Sequence, residues 1–357
     1  MPSFRRYSLL ATLLLFGASG CQSTGKTPSE RSGADGAVST PKAIVIAHRG
    51  ASAYLPEHTL AAKALAHGQG ADFIEQDVVL TRDGVPIVVH DIYLESTTDV
   101  AERFPDRARE DGHFYAIDFD LQEVRSLWAH ERRDADGSAV FPGRFPTESQ
   151  LFRVPTLEEE IILIEGLNKA RGTATGLYIE MKGSAFHIRH GQDLPKAVVG
   201  VLEATGWSDR TEQVFLQSFE PDALRYLNDE LKTPLPLIQL IAENSWAEDG
   251  EVDYDHLRSE AGLDEIRVYA QGIGPWMMQL YQGRNENGEA ILTDLVERAQ
   301  KRGLAVHPYT FRADALPPGV ESFEELHRIF INDLGIDGIF SDFPDRTRQY
   351  VDALTNP

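Results

Sequence analysis

Two histidines, His48 and His90, stand where apolar strand-like runs end. The first lies in Ile46-Ala47-His48-Arg49-Gly50 and the second follows Val85-Pro86-Ile87-Val88-Val89. Imidazole titrates near neutral pH, so such a pair can take a proton at one atom of a substrate and return one at another. Between them, Glu75 and Asp77 sit two apart on an extended run and therefore point to the same side. Together with Glu180, on a later run, they offer a metal ion three carboxylates. An all-oxygen set suits a hard ion better than zinc. The expectation is one divalent cation; the donor set alone does not choose between Ca²⁺ and Mg²⁺, and Ca²⁺ is placed first. Arg49 adds a planar donor fork for a phosphate, and Lys182, on the same side as Glu180, a point charge. Asp91 can orient the imidazole of His90 or raise its pKa, although strand alternation sends the two side chains in different directions.

Other residues carry less chemistry. His58, in Pro56-Glu57-His58-Thr59, opens a helix and supports the site from behind, with Glu57 near metal or substrate. His67, His113, His130, His256 and His327 read as surface or insertion residues. There is no Gly-x-Ser-x-Gly elbow and no Walker loop, and Gly68-x-Gly70 precedes a strand, the wrong order for a dinucleotide turn. A glycosidase needs two acids facing each other across roughly 5–9 Å, whereas Glu75 and Asp77 are neighbours on one strand.

The elements that must position these groups alternate. Strand-like runs fall near 43–47, 72–79, 85–89, 176–181, 212–217, 235–241, 267–272, 303–308 and 337–340. Helical patterns fall near 58–69, 156–170, 194–205, 220–230, 290–302, 322–334 and 344–354. Such alternation predicts a parallel sheet covered by helices, here an α/β TIM-type (β/α)8 barrel. Nine strands is one too many, and no helix fits between the second and third, so one early unit is irregular. The stretch from about 93 to 152 is too long for a plain loop and predicts a small insertion domain after that early strand. Catalytic groups of this fold stand at the C-terminal ends of strands. His48, Asp77, His90, Glu180, Gln217, His307 and Asp342 all fall at or just after such ends, so they are expected to share one pocket.

The formal charge of −22 argues against nucleic acid as a partner and against adsorption to anionic lipid by charge alone. At the N-terminus, Arg5 and Arg6 precede the short apolar run Leu9–Phe16, too short to span a bilayer. Ala18-Ser19-Gly20-Cys21 follows, with the chain's single cysteine. Residues 1–20 read as a lipoprotein signal peptide, Cys21 as the lipidated residue, and 21–41 as a Ser/Thr/Gly-rich tether. The mature chain then carries no transmembrane helix and residues 42–357 form the barrel. Gln22 after the cysteine leans toward a bacterial outer membrane, facing the periplasm or exported to the surface.

Several motifs in order resemble one family. His48-Arg49-Gly50, Pro56-Glu57-His58-Thr59, Glu75-x-Asp77, Thr81-Arg82-Asp83-Gly84, His90-Asp91 and Glu180-x-Lys182 are similar to those of the glycerophosphodiester phosphodiesterases. So are Gln217-Ser218-Phe219, His307-Pro308-Tyr309-Thr310-Phe311 and Asp337-Gly338-Ile339-Phe340-Ser341-Asp342. The likeness spans about residues 43–350 and is strongest to the family's longer periplasmic and surface-lipoprotein branch. It implies metal-dependent hydrolysis of glycerophosphodiesters, such as glycerophosphocholine and glycerophosphoethanolamine, to sn-glycerol 3-phosphate and an alcohol. It implies His48 and His90 as the acid–base pair, in an order left open, and attack by the glycerol's own hydroxyl before water. Glu75, Asp77 and Glu180 are the implied metal ligands. Arg49, Lys182, Gln217, Phe219, His187 and Tyr309 are the implied substrate contacts, with Trp276 and Phe311 as further walls. Two alternatives stand beside this: phospholipase-D-like action on lysophospholipids, and a surface lipoprotein with mainly a binding role.

Overall fold

The computed structural model describes residues 43–246 and 252–355. The signal peptide, Cys21 and the tether expected over 1–41 lie outside the described residues.

β1 (Ile44–Ala47), β2 (Phe73–Leu80), β3 (Pro86–Val88), β4 (Gly176–Met181), β5 (Val214–Ser218), β6 (Leu237–Ile241) and β7 (Gly272–Pro275) come first. They are followed by β8 (Tyr281–Arg284), β9 (Ala290–Leu292), β10 (Ala305–Val306) and β11 (Gly338–Ser341). Eight of them run parallel in the order β10-β7-β6-β5-β4-β2-β1-β11. The two ends meet through backbone hydrogen bonds from Asp337 N to Val306 O (3.0 Å) and Phe340 N to Pro308 O (3.2 Å). The expected (β/α)8 barrel is therefore present. The ninth expected strand, β3, pairs antiparallel with β2 beyond the Asp83-Gly84 turn and stays outside the barrel.

β2 shows how the barrel is built. All eight residues of Phe73-Ile74-Glu75-Gln76-Asp77-Val78-Val79-Leu80 are buried, because both faces of a parallel barrel strand are covered. Phe73 joins Ile46, Tyr178, Ile238 and Phe340 inside the barrel, while Ile74 and Val78 pack outward under the helices. The helix after the insertion, Leu157–Arg171, starts with a capping box between Thr156 and Glu159 and ends at Gly172 in a left-handed conformation. Among the described residues no helix is long and apolar enough to cross a membrane.

Three expected elements differ. Residues 267–269 are not strand but the end of the helix Glu260–Tyr269. Its buried Leu263, Ile266 and Tyr269 recur at helical spacing, and Ser259 caps its start. The sixth barrel strand, β7, begins only at Gly272, where an added Cβ would meet Ala305 O at 2.8 Å. The helix expected over 290–302 is shorter, Leu295–Gln300, because Ala290–Leu292 pairs with β8 as a small ribbon. The helix expected over 322–334 turns from α to π geometry at Arg328.

The insertion has its own apolar cluster, in which Leu94, Val100, Phe114, Phe119, Val124, Leu127 and Ala129 pack on Val79 and Ile87 of the β2–β3 hairpin. Its irregular backbone is anchored to the barrel's early strands and reaches the mouth of the barrel.

Candidate active site

β2, β4 and β5 set three polar groups in one row. Asp77 is the register partner of Glu180, and Glu180 of Gln217. Glu75 lies one step deeper on the same face as Asp77. Oxygens of Glu75, Asp77 and Glu180 lie within 4.8 Å of one another, and all three residues are buried. Burial, then the neighbouring Asp77 and Glu180, push the Glu75 carboxyl well above its ordinary value. Burial pushes Glu180 up to about 8, with Asp77 adding to the rise and Lys182 opposing it. Burial also pushes Asp77 up, but His58, His90 and Arg49 outweigh it and hold that group well below the usual carboxylate range. Asp77 Oδ1 is buried with no hydrogen-bond partner among the described residues. Three crowded oxygens, one of them unsatisfied, fit a divalent cation, which would offset their mutual repulsion.

β1 ends in a tight turn that carries His48 and Arg49. Arg49 has φ 59° and Gly50 φ 92°, a region that costs a non-glycine residue of the order of 1–3 kcal/mol. Gly50 also lies so close to the helix Leu60–Gly68 that a Cβ would stand 2.9 Å from the Ala62 carbonyl carbon. The turn holds Arg49 N 2.8 Å from Glu75 Oε2 and sets the guanidinium on Glu57, at 3.0 and 3.1 Å. His48 Nδ1–H donates to Asp342 Oδ1 at 2.6 Å. An ionised carboxylate only accepts, so Nδ1 carries the proton and Nε2 keeps its lone pair.

His90 is built in the same way by a different route. Its Nδ1–H donates to Asp91 Oδ1 at 2.5 Å, and its Nε2 lies 3.4 Å from Lys182 Nζ. The expected divergence of His90 and Asp91 does not occur, because β3 ends at Val88 and the chain bends there. Burial lowers the His48 pKa to about 4 and that of His90 to about 3; nearby Arg49 adds to both effects, and the paired aspartates oppose them. Both imidazoles are neutral at neutral pH and able to accept a proton at Nε2.

A cavity of about 420 Å³ lies over these groups. Its polar floor is His48, Arg49, Glu75, Asp77, His90, Glu180 and Gln217, and Phe219, Trp276 and Tyr309 form part of its wall. Gln217 Nε2 donates to Glu75 Oε1 at 3.0 Å, and Lys182 Nζ contacts Glu180 Oε1 at 2.8 Å beside the Phe219 ring.

Some expected members lie elsewhere. His187 does not line the cavity: the helix Ser184–Arg189 buries its ring, where Leu80 N donates to Nε2 at 3.4 Å. Phe311 is core, packed on Phe330. His307 points into the barrel interior and hydrogen-bonds the Tyr178 hydroxyl at 2.8 Å. His67 and His327, expected at the surface, are buried and hydrogen-bonded to Asn168 and the Phe323 carbonyl, and His130, expected in the insertion, is buried there on the Glu131 carbonyl.

The residues that sequence reasoning missed are arginines. Arg312 lines the cavity and donates to Asp342 Oδ2 at 2.8 Å. It directly follows the motif that ends at Phe311, the only local hint available. Arg132 and Arg144 come from the insertion and had no such hint. Behind Asp77, His58 Nε2–H donates to Oδ2 at 2.7 Å, and the fully buried Lys63 donates to His58 Nδ1 at 3.1 Å and to the Glu75 carbonyl. Glu57 is held by Arg49 and Arg132.

Carboxylate-backed imidazoles and an acidic triad thus stand at the C-terminal mouth of a (β/α)8 barrel, the place where enzymes of that fold carry their active sites. Comparison with known proteins narrows it. The sequence model of the glycerophosphoryl diester phosphodiesterase family matches residues 48–346, and the chain belongs to that family. It is 39% identical to the glycerophosphodiester phosphodiesterase of Haemophilus influenzae over 328 residues, covering 87% of this chain and 90% of that one. It is 35% identical to that of Treponema pallidum over 319 residues, 85% of this chain and 90% of the other. A phosphodiesterase from Oleispira antarctica, solved in complex with the product sn-glycerol 3-phosphate, shares the fold at a TM-score of 0.58. It is 22% identical, over 87% of this chain and 96% of that one.

Proposed function

We propose that this protein hydrolyses glycerophosphodiesters, glycerophosphocholine and glycerophosphoethanolamine among them, to sn-glycerol 3-phosphate and the free alcohol. The observation that carries the reading is the pair of aspartate-backed imidazoles facing one cavity that also holds the acidic triad. Glu75, Asp77 and Glu180 would hold one divalent cation, Ca²⁺ ahead of Mg²⁺. When bound, that ion supplies Lewis-acid polarisation of the phosphoryl oxygens and lowers the pKa of a nearby hydroxyl. Arg49 and Arg312 meet the phosphate oxygens and offset the charge that grows on them. One imidazole takes the proton from the attacking glycerol hydroxyl at its Nε2, and the other gives a proton to the departing alcohol oxygen. The P–O bond to the alcohol breaks as the ring P–O bond forms; water then opens the cyclic phosphate with the two roles exchanged. An anionic phosphodiester between the rings favours the protonated form that the acid needs.

The cavity's other side supports a second reading of the substrate. Trp246 and Trp276 pack with ring centroids 5.0 Å apart, next to Met277, Met278 and Pro317. An apolar wall of this kind suits an acyl chain carried on the glycerol, so phospholipase-D-like release of the head-group alcohol from lysophospholipids is the second reading. Cys21 is assigned as a lipid anchor and the bacterial cell envelope as the site of action, on the strength of the N-terminal sequence.

Phosphorus NMR of a glycerophosphocholine digest tests the bond cleaved. The expected products are sn-glycerol 3-phosphate and choline; phosphocholine and glycerol would contradict the assignment.

A further inference from the structure

Both imidazole–carboxylate pairs are held from outside the barrel, and by the same segment. Arg132 donates through Nη2 and Nε to Glu57, at 2.7 and 3.0 Å, and through Nη1 to Asp91 Oδ2 at 2.7 Å. Asp91 is the carboxylate behind His90. Arg144 grips Asp314 with two bonds, at 2.9 and 3.1 Å, and donates to Asp342 Oδ2 at 2.7 Å. Asp342 is the carboxylate behind His48. The two arginine side chains are 17% and 5% exposed, and neither lines the cavity. Both belong to the insertion, whose backbone carries few regular elements.

A planar guanidinium can bridge two carboxylates in a fixed geometry, which a lysine cannot copy. Each aspartate gives one oxygen to its histidine; the other accepts from Arg132 and the Ser96 hydroxyl in Asp91, and from Arg144 and Arg312 in Asp342, so the insertion arginines help set the plane of each carboxylate and thereby the direction of the ring. Arg132 ties its dyad to Glu57, and Glu57 also holds Arg49. The insertion thus couples the phosphate-facing arginine to one histidine.

We propose that Arg132 and Arg144 are positioning residues through which the insertion aims His90 and His48 at the reacting phosphodiester. The inference rests on the hydrolytic reading above and goes beyond it by giving the insertion a catalytic purpose.

The test is the steady-state release of sn-glycerol 3-phosphate from glycerophosphocholine by the full chain at saturating divalent cation. No turnover by the unaltered chain would overturn the hydrolytic reading, and this inference with it. Given turnover, Arg132→Ala and Arg144→Ala are expected to lose about 10²-fold in kcat, with KM within about threefold of the unaltered value. Added methylguanidinium is expected to recover about tenfold or more of that loss, since the missing group is a fork in a defined cleft. Arg132→Lys keeps the charge but cannot span Glu57 and Asp91. It is expected to lose about tenfold or more, and it decides the matter if the alanine variants fail to fold. Arg153→Ala removes an arginine at the insertion's C-terminal edge, one that caps the Ser126 and Leu127 carbonyls of the insertion over the Trp128 ring, and should leave kcat unchanged. A folded Arg132→Lys with kcat within about threefold of the unaltered chain would overturn the proposal. So would a rise in KM alone, or an equal loss in Arg153→Ala.

Discussion

At the scale of single residues, the site works by giving each titrating ring a fixed tautomer. With Asp342 and Asp91 accepting from Nδ1, both imidazoles present Nε2. Replacing His90 by alanine should lower kcat by about 10²–10⁴-fold while circular dichroism shows an unchanged fold; a near-normal rate would move the acid–base role elsewhere. The buried histidines away from the chemistry leave a different mark. Burial, with a contribution from Arg346, lowers the His327 pKa to about 4, and burial lowers that of His307 to about 4, against 6.5 in the unfolded chain. As pH falls, the unfolded chain takes up these protons first. Their contribution to stability is therefore complete above about pH 6.5 and is lost as pH drops toward 4. A His327→Gln variant should show a shallower fall of melting temperature between these pH values, and an unchanged slope would contradict the assignment. The candidate positions were legible because His48, His90 and Glu180 fall near or just past strand ends and Glu75 and Asp77, two apart, share one face of β2. Arg132 and Arg144 were not, because their carboxylate partners Asp91 and Asp342 lie 41 and 198 residues away. Nothing local marks a guanidinium that finds its acid only in the folded chain.

Among the elements, the β1 turn and the β2–β3 hairpin do most of the positioning. Gly50 must be glycine for two reasons, its φ of 92° and the Ala62 backbone 2.9 Å from any added Cβ. Gly50→Ala should cost about 1–3 kcal/mol in chemical denaturation and displace His48 and Arg49, lowering turnover as well; unchanged stability would show that the turn relaxes freely. The hairpin explains the surplus strand, which β-propensity marks correctly as strand while giving no sign of its direction. Misreading 267–272 has a related cause. Ile266-Arg267-Val268-Tyr269 alternates like a strand, and only the longer spacing from Leu263 reveals the helix. The insertion's extent was legible from its lack of periodicity, and the family resemblance implied a place beside the active site, but which of its residues reach that site was not legible.

The whole molecule is strongly acidic, at −22, yet its candidate site gathers Arg49, Arg132, Arg144, Arg312 and Lys182 around the carboxylates. Of these only Arg49 and Arg312 line the cavity, and they, with a cation held by the triad, would locally offset the acidity toward an anionic phosphodiester. If Cys21 carries the lipid, Cys21→Ala should move the protein from the membrane to the soluble fraction with its turnover intact, and continued membrane retention would contradict the anchor. In the proposed reaction three carboxylates, two histidines and a phosphodiester meet at one metal-dependent site. Its most direct test is a coupled assay of sn-glycerol 3-phosphate release from glycerophosphocholine, run in EDTA and then with Ca²⁺ or Mg²⁺ restored. Turnover abolished by EDTA and recovered by the cation, with Glu180→Gln inactive throughout, is the predicted result. Full turnover under EDTA, or a fully active Glu180→Gln, would contradict it.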